Sequence, residues 1–395
     1  MLVRYSKDEK GRAVRSAEIY TKEEHGIKLE DIDPDAIFVC RKLKAAGYEA
    51  YIVGGAVRDL LLGKKPKDFD IATSAQPRFV KKVLPRSRII GKRFRLVHAV
   101  FHYNKILEIA TFRSDIAGDA NVFGTLEEDV RRRDFTCNAL FYDPKEEQVI
   151  DHVGGVKDIR QKKLRNVIDL ETIFTDDPVR MIRAVKYAAL SRFSLGWSLG
   201  WKIKSQAKLL AQISPSRLTE EFYKILFSGQ SYDLIETLNK NGLLKFFVPA
   251  LDEALGKVRS ALKRALPVLD RAAKLGEDEQ ALQRPEAFFL LLEPIMESLN
   301  MGTTASTQNF MENILWIKNF FKPIVPSNRE CEESLRALYK KWAVRAPRPK
   351  LPRTAHPSGP VPSELVDVAD GLVKKRRRRR RPRKKPEQGP NPNQD

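Results

Sequence analysis

Asp68-Phe69-Asp70 places two carboxylates two residues apart. The run from Phe69 to Ala72 reads as a strand, and positions i and i+2 of a strand share a face. Two carboxylates on one face repel unless something cationic lies between them. Paired hard-oxygen ligands suit Mg2+, which usually also takes substrate phosphates and water. A solvated turn is the alternative for a lone Asp-x-Asp. Glu108 lies inside an apolar strand pattern, Leu107-Glu108-Ile109, where a charged residue is rarely buried without a partner. Beside the first two acids it would complete a two-metal clamp for in-line phosphoryl or nucleotidyl transfer. In that chemistry one ion activates an attacking hydroxyl and the other steadies the triphosphate. Taken alone, Glu108 is a strand-edge acid.

Upstream, Gly54-Gly55-Ala56-Val57-Arg58-Asp59 follows a strand and opens a helix. Glycines let a phosphate approach the backbone, and a helix N-terminus offers N–H donors and a positive dipole. Arg58 adds a bidentate donor. The spacing fits neither a dinucleotide fingerprint nor a Walker loop, and a plain strand-to-helix turn is the alternative.

These residues need a frame of short elements. The pattern predicts a helix over Ile37 to Ala46 with a stop at Gly47, a strand over Ala50 to Val53, and a short helix over Ala56 to Leu62 closed by Gly63. Leu96 to Tyr103 and Ile106 to Phe112 read as strands. From Thr175 the pattern is helical for about 170 residues, including Val179 to Leu190, Leu218 to Phe227 and Tyr232 to Leu238. The expected organisation is a charged, loose extension (1–34), an α/β catalytic head (35–165), a helical neck (166–250), a helical body (251–345) and a disordered Pro/Arg-rich basic tail (346–395).

The chain has 395 residues, 72 Lys and Arg against 51 Asp and Glu, and a net charge of +21. Lys374 to Lys385 holds eleven basic residues and one proline, so +10 remains without it. Such a run cannot bury a core and is expected to neutralise phosphates as a flexible arm. A hydrophobic fraction of 42% is that of a globular chain. No apolar run approaches the length of a membrane span, and the polar start lacks the apolar stretch of a secretory signal. Three dispersed cysteines, Cys40, Cys137 and Cys331, argue against a disulfide framework or a cysteine zinc site. A reducing cytoplasm is the expected compartment.

The order Gly-Gly, Asp-x-Asp, then an acid between apolar residues resembles the nucleotidyltransferase superfamily with its DNA polymerase β-like head. Arg132-Arg133-Asp134-Phe135-Thr136-Cys137-Asn138-Ala139-Leu140 is similar to the RRDFTxNAL motif of the class II tRNA nucleotidyltransferase and poly(A) polymerase family. Asp176-Asp177-Pro178-Val179-Arg180-Met181-Ile182-Arg183-Ala184 is similar to its E-D-x-x-R motif, with Asp176 in place of Glu. The resemblance spans Tyr51 to Gly229. It implies that Asp68 and Asp70 ligate Mg2+ with Glu108 as third acid, and that Gly54, Gly55 and Arg58 hold a triphosphate. It further implies that Arg133 and Asp134 sit against the ribose or phosphates. Asp177 and Arg180 would face the base, followed by Arg183 and by Lys186, where family members carry Arg.

Asp177 and Arg180 lie on one helix face. A carboxylate only accepts hydrogen bonds and a guanidinium only donates them. Adenine and cytosine both present an amino donor beside a ring-nitrogen acceptor; guanine and uracil present the reverse. The pair therefore admits ATP and CTP and does not choose between them. The stretch Ile90 to His98, leading into Glu108 to Arg113, resembles the bacterial poly(A) polymerases within the family, as does the basic tail. The expectation is template-independent addition of AMP to RNA 3′ ends. CCA addition to tRNA from CTP and ATP is the alternative. An inactive RNA-binding relative and a small-molecule nucleotidyltransferase are alternatives from other classes. His98 reads as structural rather than as a base.

Overall fold

The computed structural model describes residues 2–7, 11–91, 95–102, 105–114, 122–275 and 282–348. The basic run Lys374 to Lys385 lies outside them, as does Lys92 to Phe94 of the stretch singled out above.

Among the described residues nine strands form one sheet. In chain order they are β1 (Leu2–Lys7), β2 (Ala13–Tyr20), β3 (Ala50–Val53), β4 (Asp70–Thr73), β5 (Ser87–Ile90), β6 (Leu96–Val100), β7 (Ile106–Thr111), β8 (Leu140–Asp143) and β9 (Gln148–Asp151). Their order across the sheet is β1-β2-β9-β8-β3-β4-β7-β6-β5. Every pairing is antiparallel except β4 with β7, which run parallel with Ile71 opposite Ile109.

Residues 2–7 and 13–20, expected in a loose extension, form β1 and β2, and β2 pairs with β9 through Glu18 opposite Asp151. Only Ala17 and Tyr20 of β2 are buried, so the strand keeps a charged, exposed face. β1, at the sheet edge, carries Arg4 and Lys7, and charge on an edge strand discourages pairing with other chains; charge also hides both strands from a hydrophobic pattern.

Helix Pro34–Ala45 backs the sheet. Asp33 caps it by accepting from the Asp35 N–H, Pro34 opens it, and Ala36, Val39, Cys40 and Leu43 are buried at helical spacing. Gly47 ends the turn at φ 85°, a conformation that favours glycine. Beyond the head the described elements are helical, apart from the two-residue pair Lys163–Leu164 with Ser194–Leu195. Helix Pro249–Leu275 buries Leu251, Leu255, Val258, Leu262, Leu266 and Leu269. Arg284–Ser298 and Asn328–Lys341 bury their apolar residues in the same core.

The head and the helices behind it belong to one compact unit, residues 1–347. Lys67 ties them together. Its ammonium donates to the Phe227 carbonyl (2.9 Å) and the Ala273 carbonyl (3.2 Å), each at or near a helix C-terminus. Helix C-termini carry unsatisfied carbonyls and partial negative charge, which favour a cation there. Lys64 donates to the Leu190 carbonyl in the same manner.

Candidate active site

One cleft of about 710 Å3 gathers most of the sequence-predicted residues. Gly54, Gly55, Arg58, Asp68, Asp70, Arg133, Asp134, Asp177, Arg180, Arg183 and Lys186 line it. Glu108 does not.

The acids alternate with the core as a strand requires. Phe69 is buried, while Asp68 and Asp70 on either side are exposed. β4 starts at Asp70, one residue later than expected, so Asp68 stands just before the strand. Neither carboxylate has a hydrogen-bond or ion-pair partner among the described residues. Desolvation in the cleft, then the like charges of Glu108 and Asp68, push the Asp70 carboxyl up to about 6; Arg133 and Lys224 oppose this. The carboxyl is thus accessible yet deep among other charges.

Glu108 reaches the neighbourhood of Asp70 through the parallel β4–β7 pairing. Its side chain is 52% exposed and lies 3.4 Å from His98 Nε2, directly across the β6–β7 ladder. Among the described residues no three His, Cys, Asp or Glu side chains are grouped closely enough to hold a metal ion. The three-acid cluster expected from sequence is not assembled in this arrangement. Like charges repel, a physical reason for acids to stand apart.

The glycine pair turns the chain from β3 into helix Gly55–Leu61. Gly54 has φ 71° and ψ −129°, outside the range of ordinary side chains. Arg58, buried, donates from Nη1 to Asn138 Oδ1 (2.8 Å) and from Nε to Asp59 Oδ1 (2.9 Å), and stacks on Tyr187. A guanidinium has five N–H donors, so these partners do not exhaust it. Arg133 donates from Nε and Nη2 to Asp129 and from Nη1 to the Asn138 carbonyl. Asp134 is buried; its Oδ1 accepts from the Phe135 N–H (2.8 Å). Its Oδ2 lies 2.9 Å from Arg183 Nη2 but off hydrogen-bond alignment, so Asp134 Oδ2 and Arg183 Nε have no hydrogen-bond partner among the described residues.

Asp177 stands in extended backbone before helix Val179–Ser191, not on one face of it with Arg180 as expected; the Arg180 N–H donates to the Asp177 carbonyl (3.1 Å), but their side chains are not bonded to each other. Asp177 accepts from the Val179 N–H (3.2 Å) and from Arg217 Nη2 (2.8 Å). Arg180 donates to the Ile173 carbonyl (3.0 Å). Lys186 is buried in an ion pair with Glu221 (2.6 Å), so it is already engaged by a partner the sequence reading did not include. Burial works against the Glu221 charge, but Lys186 and Lys224 hold its carboxyl below the usual range.

Sequence reasoning also missed Arg217 and Lys224. With Glu221 they are spaced i, i+4 and i+7 on helix Pro215–Leu226, whose apolar face was expected to be core. Leu218, Phe222 and Ile225 are indeed buried. The charged stripe on the same helix turns its residues to the cleft or to Asp177. The spacing was visible, but a charged stripe usually marks a solvated face.

Residues 50–165 match the family model described as "Poly A polymerase head domain". The head is similar to that domain. Residues 202–255 match a second model, "Probable RNA and SrmB- binding site of polymerase A". The chain is 41% identical over 250 residues to the Poly(A) polymerase I of Salmonella typhimurium, covering 59% of this chain and 54% of that protein. It is 38% identical over 227 residues to the CCA-adding enzyme of Geobacillus thermodenitrificans, covering 55% of each. The chain thus spans about half the length of the curated relatives it matches. The crystal structure of the Bacillus stearothermophilus CCA-adding enzyme in complex with CTP superimposes with a TM-score of 0.52 at 28% identity, covering 80% of this chain and 85% of that one. The head and the helices behind it therefore share their fold with that CCA-adding enzyme. Among the described residues no helix is long and apolar enough to cross a membrane.

Proposed function

We propose that this chain adds AMP from ATP to RNA 3′-hydroxyls without a template, releasing pyrophosphate. The observation that carries the reading is the cleft itself. Two carboxylates without partners among the described residues, Asp68 and Asp70, line it together with the Asp177 and Arg180 side chains, each held by other residues and not by one another.

The chain's own groups have distinct tasks in this reading. Asp177 accepts from the exocyclic amino group of adenine, and Arg180 donates to the ring nitrogen beside it. The Asp134 Oδ2, buried without a hydrogen-bond partner, accepts from a ribose hydroxyl. The spare donors of Arg58 hold phosphate oxygens, with the Gly54-Gly55 turn at the backbone. The RNA 3′-oxygen bonds to the α-phosphorus, the bond from that phosphorus to the bridging oxygen breaks, and pyrophosphate leaves. Asp68 and Asp70, whose hard oxygens line the cleft, would hold Mg2+, with Glu108 turning in from the neighbouring strand as third acid. When bound there, the metal supplies positive charge for the triphosphate and acidifies the attacking hydroxyl.

CCA addition is the second reading, supported by the 38% identical CCA-adding relative and by a base-reading pair that accepts cytosine equally. The higher identity to a Poly(A) polymerase I favours the first. One labelled nucleotide at a time, offered with Mg2+ to an unstructured RNA and to a tRNA lacking CCA, separates them. Long ladders from ATP on the unstructured RNA support AMP addition. Incorporation of CTP and then a single AMP, confined to the tRNA, replaces it with CCA addition. A folded sample that turns over neither nucleotide is an inactive binding protein.

A further inference from the structure

Helix Trp197–Gln206 has its apolar residues on two opposite faces. Leu199 and Ile203, continued by Ala207 and Leu210 in the following turn, are buried in the core. The other face carries Trp197, Trp201 and Lys204, spaced i, i+4 and i+7, so they form one stripe, and exposed Lys208 follows in the next, tighter turn, Ala207–Gln212. Trp197 is 86% exposed and Trp201 60% exposed, and both lysines are exposed. By contrast, Trp316 and Trp342 pack against the core. Two indoles in water, one helical turn apart, gain nothing for the fold.

The charges beside the rings are of one sign. Lys204 and Lys208 have no acidic partner among the described residues, whereas Lys202 on the inner side is buried and paired with Glu171. That pair connects the helix to the segment entering Ile173–Asp176 and Asp177. Downstream, Arg217 bonds Asp177 directly. The helix that carries the stripe is therefore tied through Lys202 to the segment leading to Asp177.

We propose that Trp197, Trp201, Lys204 and Lys208 form a stacking platform for single-stranded RNA upstream of its 3′ end. The indoles stack on bases and the lysines meet phosphates. Aromatic rings set among unpaired cations are the combination that binds single strands without reading their sequence. An apolar protein partner would leave two lysines to be desolvated without an acid to meet them. The inference rests on the RNA-extending reading above and adds where the strand is held.

The test uses the full chain, a labelled 15-nucleotide oligoadenylate, and four forms of the protein. These are the wild type, W197A/W201A, W197F/W201F and K204A/K208A. Circular dichroism checks that each is folded. In the wild type the oligonucleotide should quench tryptophan fluorescence. W197A/W201A should weaken binding by about tenfold to a hundredfold and raise the KM for RNA, with the KM for ATP unchanged. W197F/W201F should keep most of the affinity, because a benzene ring still stacks. K204A/K208A should flatten the slope of log K against log salt by about 1.4, at about 0.7 per single-strand phosphate contact.

Unchanged affinity in W197A/W201A overturns the proposal. So does a wild type that self-associates through these residues while RNA binding ignores them, which makes the stripe a protein contact. The two readings fail separately. Oligonucleotide binding that depends on the indoles without any nucleotide addition sinks the enzyme and keeps the platform. Ladders from ATP with intact binding in W197A/W201A do the opposite.

Discussion

The Asp177 carboxylate is bonded to Arg217 at 2.8 Å, from a helix 40 residues further along the chain, and not to the Arg180 guanidinium three residues on. The carboxylate proposed to read the base is thus aimed by a residue outside the motif that contains it. Arg217→Ala should leave stability within about 1 kcal/mol, because the pair is partly exposed. The preference for ATP over GTP should fall by about tenfold or more as Asp177 gains freedom. Competing single-nucleotide incorporation assays measure it; an unchanged ratio removes Arg217 from the account.

Asp70 carries a raised carboxyl pKa of about 6, against about 3.9 for an unfolded Asp. A group whose folded pKa lies higher binds its proton more tightly in the fold. Its contribution to stability is full below pH 4 and is lost as pH rises through 6. Without metal, Asp70→Asn should therefore raise Tm at pH 7.5 and change it little at pH 4. The same variant should lose nucleotide addition by about 10^3-fold or more. Mg2+ should raise the wild-type Tm more at pH 7.5 than at pH 5, and should not raise that of Asp70→Asn. Thermal melts across pH, with and without Mg2+, decide the matter.

Lys186 and Glu221 form a buried pair, with Lys224 adding a second cation beside the acid. Removing one partner strands the other. Lys186→Met should cost about 3–5 kcal/mol, the range for breaking a buried ion pair. The double variant Lys186→Met/Glu221→Leu should recover most of it. Denaturant unfolding of the single and double variants gives the comparison, and equal losses in both would show that the charges are not coupled.

The basic run Lys374 to Lys385 predicts a salt-sensitive contact with nucleic acid. Deletion of Val373 to Asp395 should weaken RNA binding and flatten the slope of log K against log salt. The KM for ATP should stay the same. A slope identical to that of the full chain would mean that the run makes no phosphate contacts.

Much of this site was legible because its chemistry sits in short, contiguous motifs. β3 occupies the predicted residues Ala50 to Val53, and helix Val179–Ser191 begins at the predicted Val179. Other parts were hidden for physical reasons. β1 is an edge strand and β2 lies next to it, and both carry charged residues, so they lack the apolar alternation of a half-buried strand. β5, β8 and β9 are as short as β3, but Ser87, Arg88, Asp143, Gln148 and Asp151 interrupt the apolar run that betrays β3. Arg217, Glu221 and Lys224 reach the site by tertiary packing, and no local pattern says which way a charged stripe turns. Glu108 was found by its apolar neighbours, but its turn toward His98 depends on the β6–β7 register, which only the sheet reveals.

Lys67 precedes Asp68 directly, and its ammonium is held by carbonyls from residues 160 and 206 positions later in the chain. The loop that presents the acids is therefore anchored on a footing the head does not own. A head excised at its motif boundaries would keep every acid and lose that anchorage. Transplanting this chemistry onto another scaffold requires the ends of two distant helices to travel with it.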